Sequence, residues 1–153
     1  MPVDVLVETT IACSPGVVSR YAGDPSNATN WYANIKSVTW KTPPPVAIGS
    51  LVEFEAHFLG RRLVYTYEIA ELVPGNLLVM RTADGPFPME TTYTWEPSDE
   101  GTRMTLHNRG EPSGFARVAA PVMERAMRRA TNKDLARLKA ILERGRGSVT
   151  EGL

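Results

Sequence analysis

The side chains best suited to chemistry in this sequence are hydroxyls set among apolar neighbours. Tyr65, Tyr67, Thr91 and Tyr93 recur at alternate positions in segments otherwise rich in Phe, Leu and Met. Alternation with period two puts such residues on one face of a strand. A phenol on such a face can orient the oxygen of a bound molecule. It can also protonate or steer an enolate in an aldol-type cyclisation or dehydration, which makes Tyr93 the catalytic candidate of the group. Arg81, Glu90 and Arg109 lie near strand ends, but their parity is opposite to that of the tyrosines and suits surface ion pairs.

Other reactive groups are sparse. His57 and His107 share parity with charged neighbours, which puts them on the solvent side, and Cys13 is the sole cysteine, without a second thiol for a disulfide, redox pair or metal motif. There is no HxxxH or HxH spacing, no GxSxG elbow, no phosphate-cradling glycine loop and no GxGxxG fingerprint. No metal and no cofactor are therefore expected, and nucleophilic and nucleotide-dependent chemistry are disfavoured.

The chain has 153 residues, with 17 basic and 17 acidic side chains that cancel. That length fits one domain burying roughly 70% of its unfolded surface. Zero net charge gives no general attraction to nucleic acid or an anionic membrane, so the expected partner is a small hydrophobic molecule. A basic stripe near the C-terminus, with Arg125, Arg128, Arg129, Lys133 and Arg137 among its members, reads as a solvated helix face, without the interleaved aromatics of a single-strand binder. The opening MPVDVLVETTIA lacks a basic start, and no apolar run reaches membrane-spanning length. The expectation is a cytoplasmic protein with no integral membrane contact and no nucleic-acid partner; a homodimer is compatible with the sequence.

The elements that must position the tyrosines follow from turn signals and periodicity. Residues 3–12 form a β-branched strand, and Ser14-Pro15 caps a first short helix. Gly23-Asp24-Pro25-Ser26 breaks it and lets a second short helix end near Trp31. Six strands follow, separated by 43–45, a hairpin at Gly60-Arg61, and turns at 74–76, 84–86 and 99–101. One amphipathic helix then spans 115–144, about 45 Å at 1.5 Å per residue. Ser113 is its expected N-cap, and Pro121 acts either as a kink that opens a gate or as a first-turn residue. Residues 145–153 read as a flexible tail after a single domain over 1–144.

This order of elements, together with Asp24-Pro25 before Trp31, Ile48-Gly49-Ser50, the run from Tyr67 to Gly75, Tyr93-Thr94-Trp95-Glu96-Pro97 before Gly101-Thr102, and the ending Asp134-Leu135-Ala136-Arg137-Leu138-Lys139, resembles the START-like superfamily and its bacterial polyketide cyclase/dehydrase and lipid-transport group. The resemblance covers nearly the whole chain. It implies an α+β helix-grip fold: a curved seven-stranded antiparallel sheet around a long C-terminal helix, with two short helices after strand one. It also implies a cavity for a lipid, polyketide or isoprenoid-type ligand. Binding, polyketide cyclisation or dehydration, and a coenzyme-Q-binding or regulatory interaction role all occur on that framework, and no universal catalytic motif carries over.

Strand parity proposes the cavity wall: Phe54 and Phe58, Tyr65 and Tyr67, Met80, Met89 with Thr91 and Tyr93, and Met104 with Asn108. Trp31 joins them from the second short helix, and Phe115, Ala119, Met123 and Met127 from the long one, while Leu135, Leu138, Ile141 and Leu142 anchor that helix to the sheet. Tyr67, Met80, Tyr93 and Met123 are expected to converge on one apolar pocket of roughly 300–1,000 Å³. A single bulge would turn part of this face over.

Overall fold

The computed structural model describes residues 3–111 and 120–151, with side chains for 3–111 and 121–145. Strand β1 (Val3–Ile11) leads to helix α1 (Pro15–Ala22), a 3-10 turn (Pro25–Asn27) and helix α2 (Ala28–Trp31). Strands β2 (Ile35–Trp40), β3 (Leu51–Phe58), β4 (Arg61–Val73), β5 (Leu77–Asp84), β6 (Met89–Ser98) and β7 (Gly101–Gly110) follow, and helix α3 (Ala120–Glu151) ends the chain. The strands form one seven-stranded antiparallel sheet in the order β1-β7-β6-β5-β4-β3-β2. Consecutive hairpins build all of it except β1, which pairs with β7 and makes the first and last strands neighbours.

Local chemistry sets the boundaries. The Ser14 hydroxyl accepts from the Val17 amide at the start of α1, and Pro15 occupies the first helical position, where its missing N–H is no loss. Asp24 Oδ1 accepts from the Ser26 amide at 2.9 Å to begin the 3-10 turn, and the Trp40 indole donates to Ser26 Oγ at 2.9 Å, tying that turn to β2. The β3–β4 hairpin turns at Leu59-Gly60, one residue earlier than the sequence suggests. Both residues have positive φ, 50° and 78°, as a primed turn requires, and Arg61 already belongs to β4. Gly101 has φ of 135°, and a Cβ there would lie 2.4 Å from the Ile11 carbonyl oxygen, so only glycine lets β7 start against the end of β1.

The bulges fall where they spare the expected face. Register shifts interrupt β4–β5 pairing between Thr66 and Tyr67 and between Ile69 and Glu71. Leu63, Tyr67 and Ile69 nonetheless stay on the concave side, and beyond the second shift Leu72, of opposite parity, packs against the core.

Helix α3 lies along β1. Leu135, Leu138 and Leu142 are buried in the main core. Polar side chains of α3 also reach the unpaired edge of β1: Glu124 Oε1 accepts from the Asp4 amide at 3.2 Å, and Arg128 donates to the Leu6 carbonyl at 3.0 Å. Lys139 donates to the Thr10 carbonyl at 2.6 Å, and Glu143 accepts from the Ala12 amide at 2.9 Å. An exposed edge strand is a template for unwanted pairing, and these four side chains cover it. The basic stripe is thus partly structural, a correction to its reading as a merely solvated face.

The helix is described from Ala120 onward and includes Pro121; the expected cap at Ser113 and the stretch 115–119 lie outside the described residues. Its far end runs through Glu151, past residue 145 where the sequence reading places a tail.

Candidate functional site

A cavity of about 160 Å³ lies between the concave face, α1 and α2, and the first half of α3. It is smaller than the volume expected from the sequence, because aromatic rings project into it. Phe54 stacks on Tyr65 with centroids 5.6 Å apart, and Tyr67 sets its ring edgewise to both, at 5.9 Å from Phe54 and 5.0 Å from Tyr65.

One end is apolar. Leu63, Phe87 and Met123 are buried together with Val3, and Phe58, Met89 and Met127 pack against them. Phe87 is delivered by the β5–β6 turn, whose geometry is held by the Thr82 hydroxyl. That group accepts from the Met89 amide at 2.9 Å and donates to the Met89 carbonyl at 3.1 Å.

The middle carries a directed relay. The Thr91 hydroxyl donates to Asn108 Oδ1 at 2.7 Å, and Tyr67 lies 2.8 Å from the same hydroxyl. Thr91 has one proton, and Asn108 takes it, so Tyr67 donates to Thr91. What remains on the cavity wall is the Tyr67 oxygen as acceptor and the Asn108 amide as donor.

The other end is polar. The Tyr32 and Tyr93 hydroxyls are 2.6 Å apart, with Trp31 packed against both rings at centroid distances of 4.2 and 5.7 Å. Asp134, only 3% exposed, lines the same end and accepts from the Ala33 amide through Oδ1 at 3.0 Å. Burial raises the Asp134 carboxyl to about 6, against the lowering effects of the Ala33 amide and the nearby Arg137. Burial likewise pushes Tyr32, Tyr65 and Tyr93 well above the ordinary phenol value, and Tyr67 to about 12, its bond with Thr91 opposing the rise. These phenols are neutral hydrogen-bonding groups at physiological pH.

Of the residues proposed from sequence, Phe54, Phe58, Tyr65, Tyr67, Met80, Met89, Thr91, Tyr93, Asn108, Met123 and Met127 all line this cavity. Two do not. Trp31 is buried behind Tyr32 and Tyr93, and its indole N–H, like that of Trp95, has no hydrogen-bond partner among the described residues. Met104 pairs with Trp95 on one side and Thr9 on the other, which places it in the solid core beyond the cavity's end. Phe115 and Ala119 lie outside the described residues.

Sequence reasoning missed Tyr32, Asn34, Phe87, Thr131 and Asp134 as wall residues. Asp134 did leave a signal: with Thr131, Leu135, Leu138 and Leu142 it occupies the buried stripe of α3, an acid on a greasy face. Tyr32 left none, because the docking of α2 decides its direction.

The charged candidates stay outside. Glu90 accepts from Arg81 and from Arg109, each at 2.7 Å, and those two bonds hold its carboxyl below the usual range. His107 meets Asp4 at 2.7 Å on the same convex face, and His57 is an exposed neighbour of Glu55. Among the described residues no group of three or more His, Cys, Asp or Glu is arranged to hold a metal, and no helix is long and apolar enough to cross a membrane.

Solved structures share this architecture. Protein TTHA0849 from Thermus thermophilus superposes with a TM-score of 0.77 at 21% identity, over 93% of this chain and 98% of that one. The Zhui aromatase/cyclase from a Streptomyces species gives 0.75 at 16% identity, over 94% and 95%. A START superfamily protein from Mycobacterium smegmatis gives 0.75 at 15% identity, over 94% and 97%. A comparison with curated proteins returns no match. At these identities the likeness shows the helix-grip fold, while residues 2–143 match the family described as polyketide cyclase / dehydrase and lipid transport, and it is to that family that the chain belongs.

Proposed function

We infer that the protein binds a small hydrophobic or amphipathic molecule, of lipid, polyketide or isoprenoid type, inside its cavity. The observation that carries this reading is a void walled by methionines and aromatic rings yet fitted with spare hydrogen-bonding groups on Tyr67, Asn108, the Tyr32–Tyr93 pair and Asp134. A filled core has no use for such groups, whereas a binding site uses them to orient a guest. The volume suits about one ring, since an apolar cavity of about 150 Å³ takes benzene. A longer guest must thread past Phe87 and the flexible methionines at the apolar end.

A second reading, a cyclase or dehydratase-like enzyme, is favoured by one feature. Asp134 is a buried carboxyl that exchanges its proton near neutrality, beside a hydroxyl pair, and such a group can serve as acid or base.

Tyr93→Phe separates the two. For a site that only binds, the variant loses at most one neutral hydrogen bond, and affinity for candidate polyketides or isoprenoid quinones falls by no more than about tenfold. For a site that uses Tyr93 in turnover, the rate falls by about 10² or more with little change in binding. Native mass spectrometry of the purified protein, searching for a co-purified guest, tests the binding reading directly, and a cavity that takes up none of the panel overturns it.

A further inference from the structure

The electrostatics of the wall restrict the guest more sharply than its shape does. Among the described lining residues there is no Lys, Arg or His, and the sole carboxylate is Asp134. The described cations of α3 turn elsewhere: Arg125, Arg129, Lys133 and Arg144 are exposed, Arg128 is bound to the Leu6 carbonyl, and Lys139 to the Thr10 carbonyl and Glu143. Arg137, the basic group nearest Asp134 in effect, is exposed on the outer side of the helix and does not line the cavity.

We propose that the cavity selects its guest by charge, admitting small ring compounds whose polar group donates a hydrogen bond, whether alcohol, phenol or amine, and excluding carboxylates and phosphates. The inference rests on the binding reading above and names the chemical class that the site takes. Asp134 supplies the acceptor: Oδ1 is engaged by the Ala33 amide, and Oδ2 has no hydrogen bond among the described residues. Beside it the Tyr32–Tyr93 pair uses one of its two protons internally, which leaves the other for a guest oxygen. Thr91 and Tyr93 are two residues apart on β6, so the relay of Tyr67, Thr91 and Asn108 offers a second contact about 7 Å away, about one ring further along.

An anion brought into this wall would meet the Asp134 carboxylate, with only neutral phenol and amide donors and no cation among the described lining residues to pair with, and an unpaired buried charge is strongly disfavoured. An ammonium would meet Asp134. Burial raises the pKa of Asp134 to about 6 against the lowering effect of Arg137, and at pH 8 that group is ionised.

The test uses the full chain and four probes of matched size, p-xylene, 4-methylbenzyl alcohol, 4-methylbenzylamine and 4-methylbenzoate, titrated at pH 8 by calorimetry or ligand-observed NMR. The alcohol and amine are expected to bind, and the benzoate to bind at least about tenfold more weakly than the alcohol. In Asp134→Asn the amine is expected to lose about tenfold and the benzoate to recover part of its deficit. Benzoate binding as tightly as the alcohol in the wild-type protein overturns charge selection, and needs no variant to do so. Ratios among the probes that are unchanged in a folded Asp134→Asn protein also overturn it. If p-xylene binds while the polar probes show no discrimination, charge selection fails and cavity binding survives. If not even p-xylene binds, the binding reading fails, and this inference fails with it.

Discussion

The two halves of α3 do opposite work on the same sheet. From Leu135 to Glu143 the helix is fastened, with Leu135, Leu138 and Leu142 buried in the main core and Lys139 and Glu143 bonded to the edge of β1. From Met123 to Ala130 the same helix, though also tied to β1 by Glu124 and Arg128, borders the cavity, contributing Met123, Met127 and Ala130 to its wall. The residue types differ accordingly. Leucine, with few rotamers, fills a fixed space, while methionine, unbranched and polarisable, adapts to the irregular wall of a void. Asp134 stands at the junction, against the cavity on one side and the solid core on the other. One helix thus joins a part whose packing is complete to a part whose packing leaves a void.

The largest test of this contrast is Leu138→Ala. It removes a fully buried side chain from the fastened half, and stability measured by urea denaturation is expected to fall by about 2–5 kcal/mol. The ratio of affinities among cavity ligands should stay the same, since Leu138 does not line the cavity.

Asp134→Asn probes the junction. The folded carboxyl has its pKa raised from 3.8 to about 6. Between those values the native state holds a proton that the unfolded chain has released, so wild-type stability falls as pH rises through that window. The phenols facing Asp134 do not blur this: Tyr32 and Tyr93 remain neutral there. Asparagine still accepts from the Ala33 amide but has no charge to bury. The variant is expected to match the wild type near pH 4 and to exceed it by roughly 1–3 kcal/mol at pH 8. Denaturation midpoints of both proteins across that range measure it, and parallel curves would show that Asp134 bears no buried-charge penalty.

The smallest stability effect belongs to Met127→Ala. Met127 is partly exposed and already borders a void, so it has fewer contacts to lose, and the cost is expected to be about 1 kcal/mol or less. Its signature is in binding, where an enlarged apolar end should improve uptake of bulkier neutral guests. A Met127→Ala penalty equal to that of Leu138→Ala would erase the distinction between the halves.

Much of this was legible from residue order. The alternation in 51–58, 63–69 and 89–95 placed Phe54, Tyr67, Thr91 and Tyr93 on one face, because strand geometry permits only two faces and the other carries Glu, Arg and His. The leucines of the fastened half could be read in the same way from helical spacing. Three features could not be read so. Met104 has the same parity as Asn108, and only the register against Trp95 and Thr9 shows that it lies past the end of the void. Tyr32 meets Tyr93 only because α2 docks over the sheet, which no periodicity encodes. Arg128 and Lys139 look like solvated cations until β1, more than a hundred residues earlier, offers them unpaired carbonyls. The sequence by itself determined which face of each element is apolar, since burying that face is the dominant driving force and it depends only on local spacing. The tertiary structure alone decided where packing stops short, how large the gap is and which polar groups are left to face it, because a void is a property of surfaces that meet from distant parts of the chain.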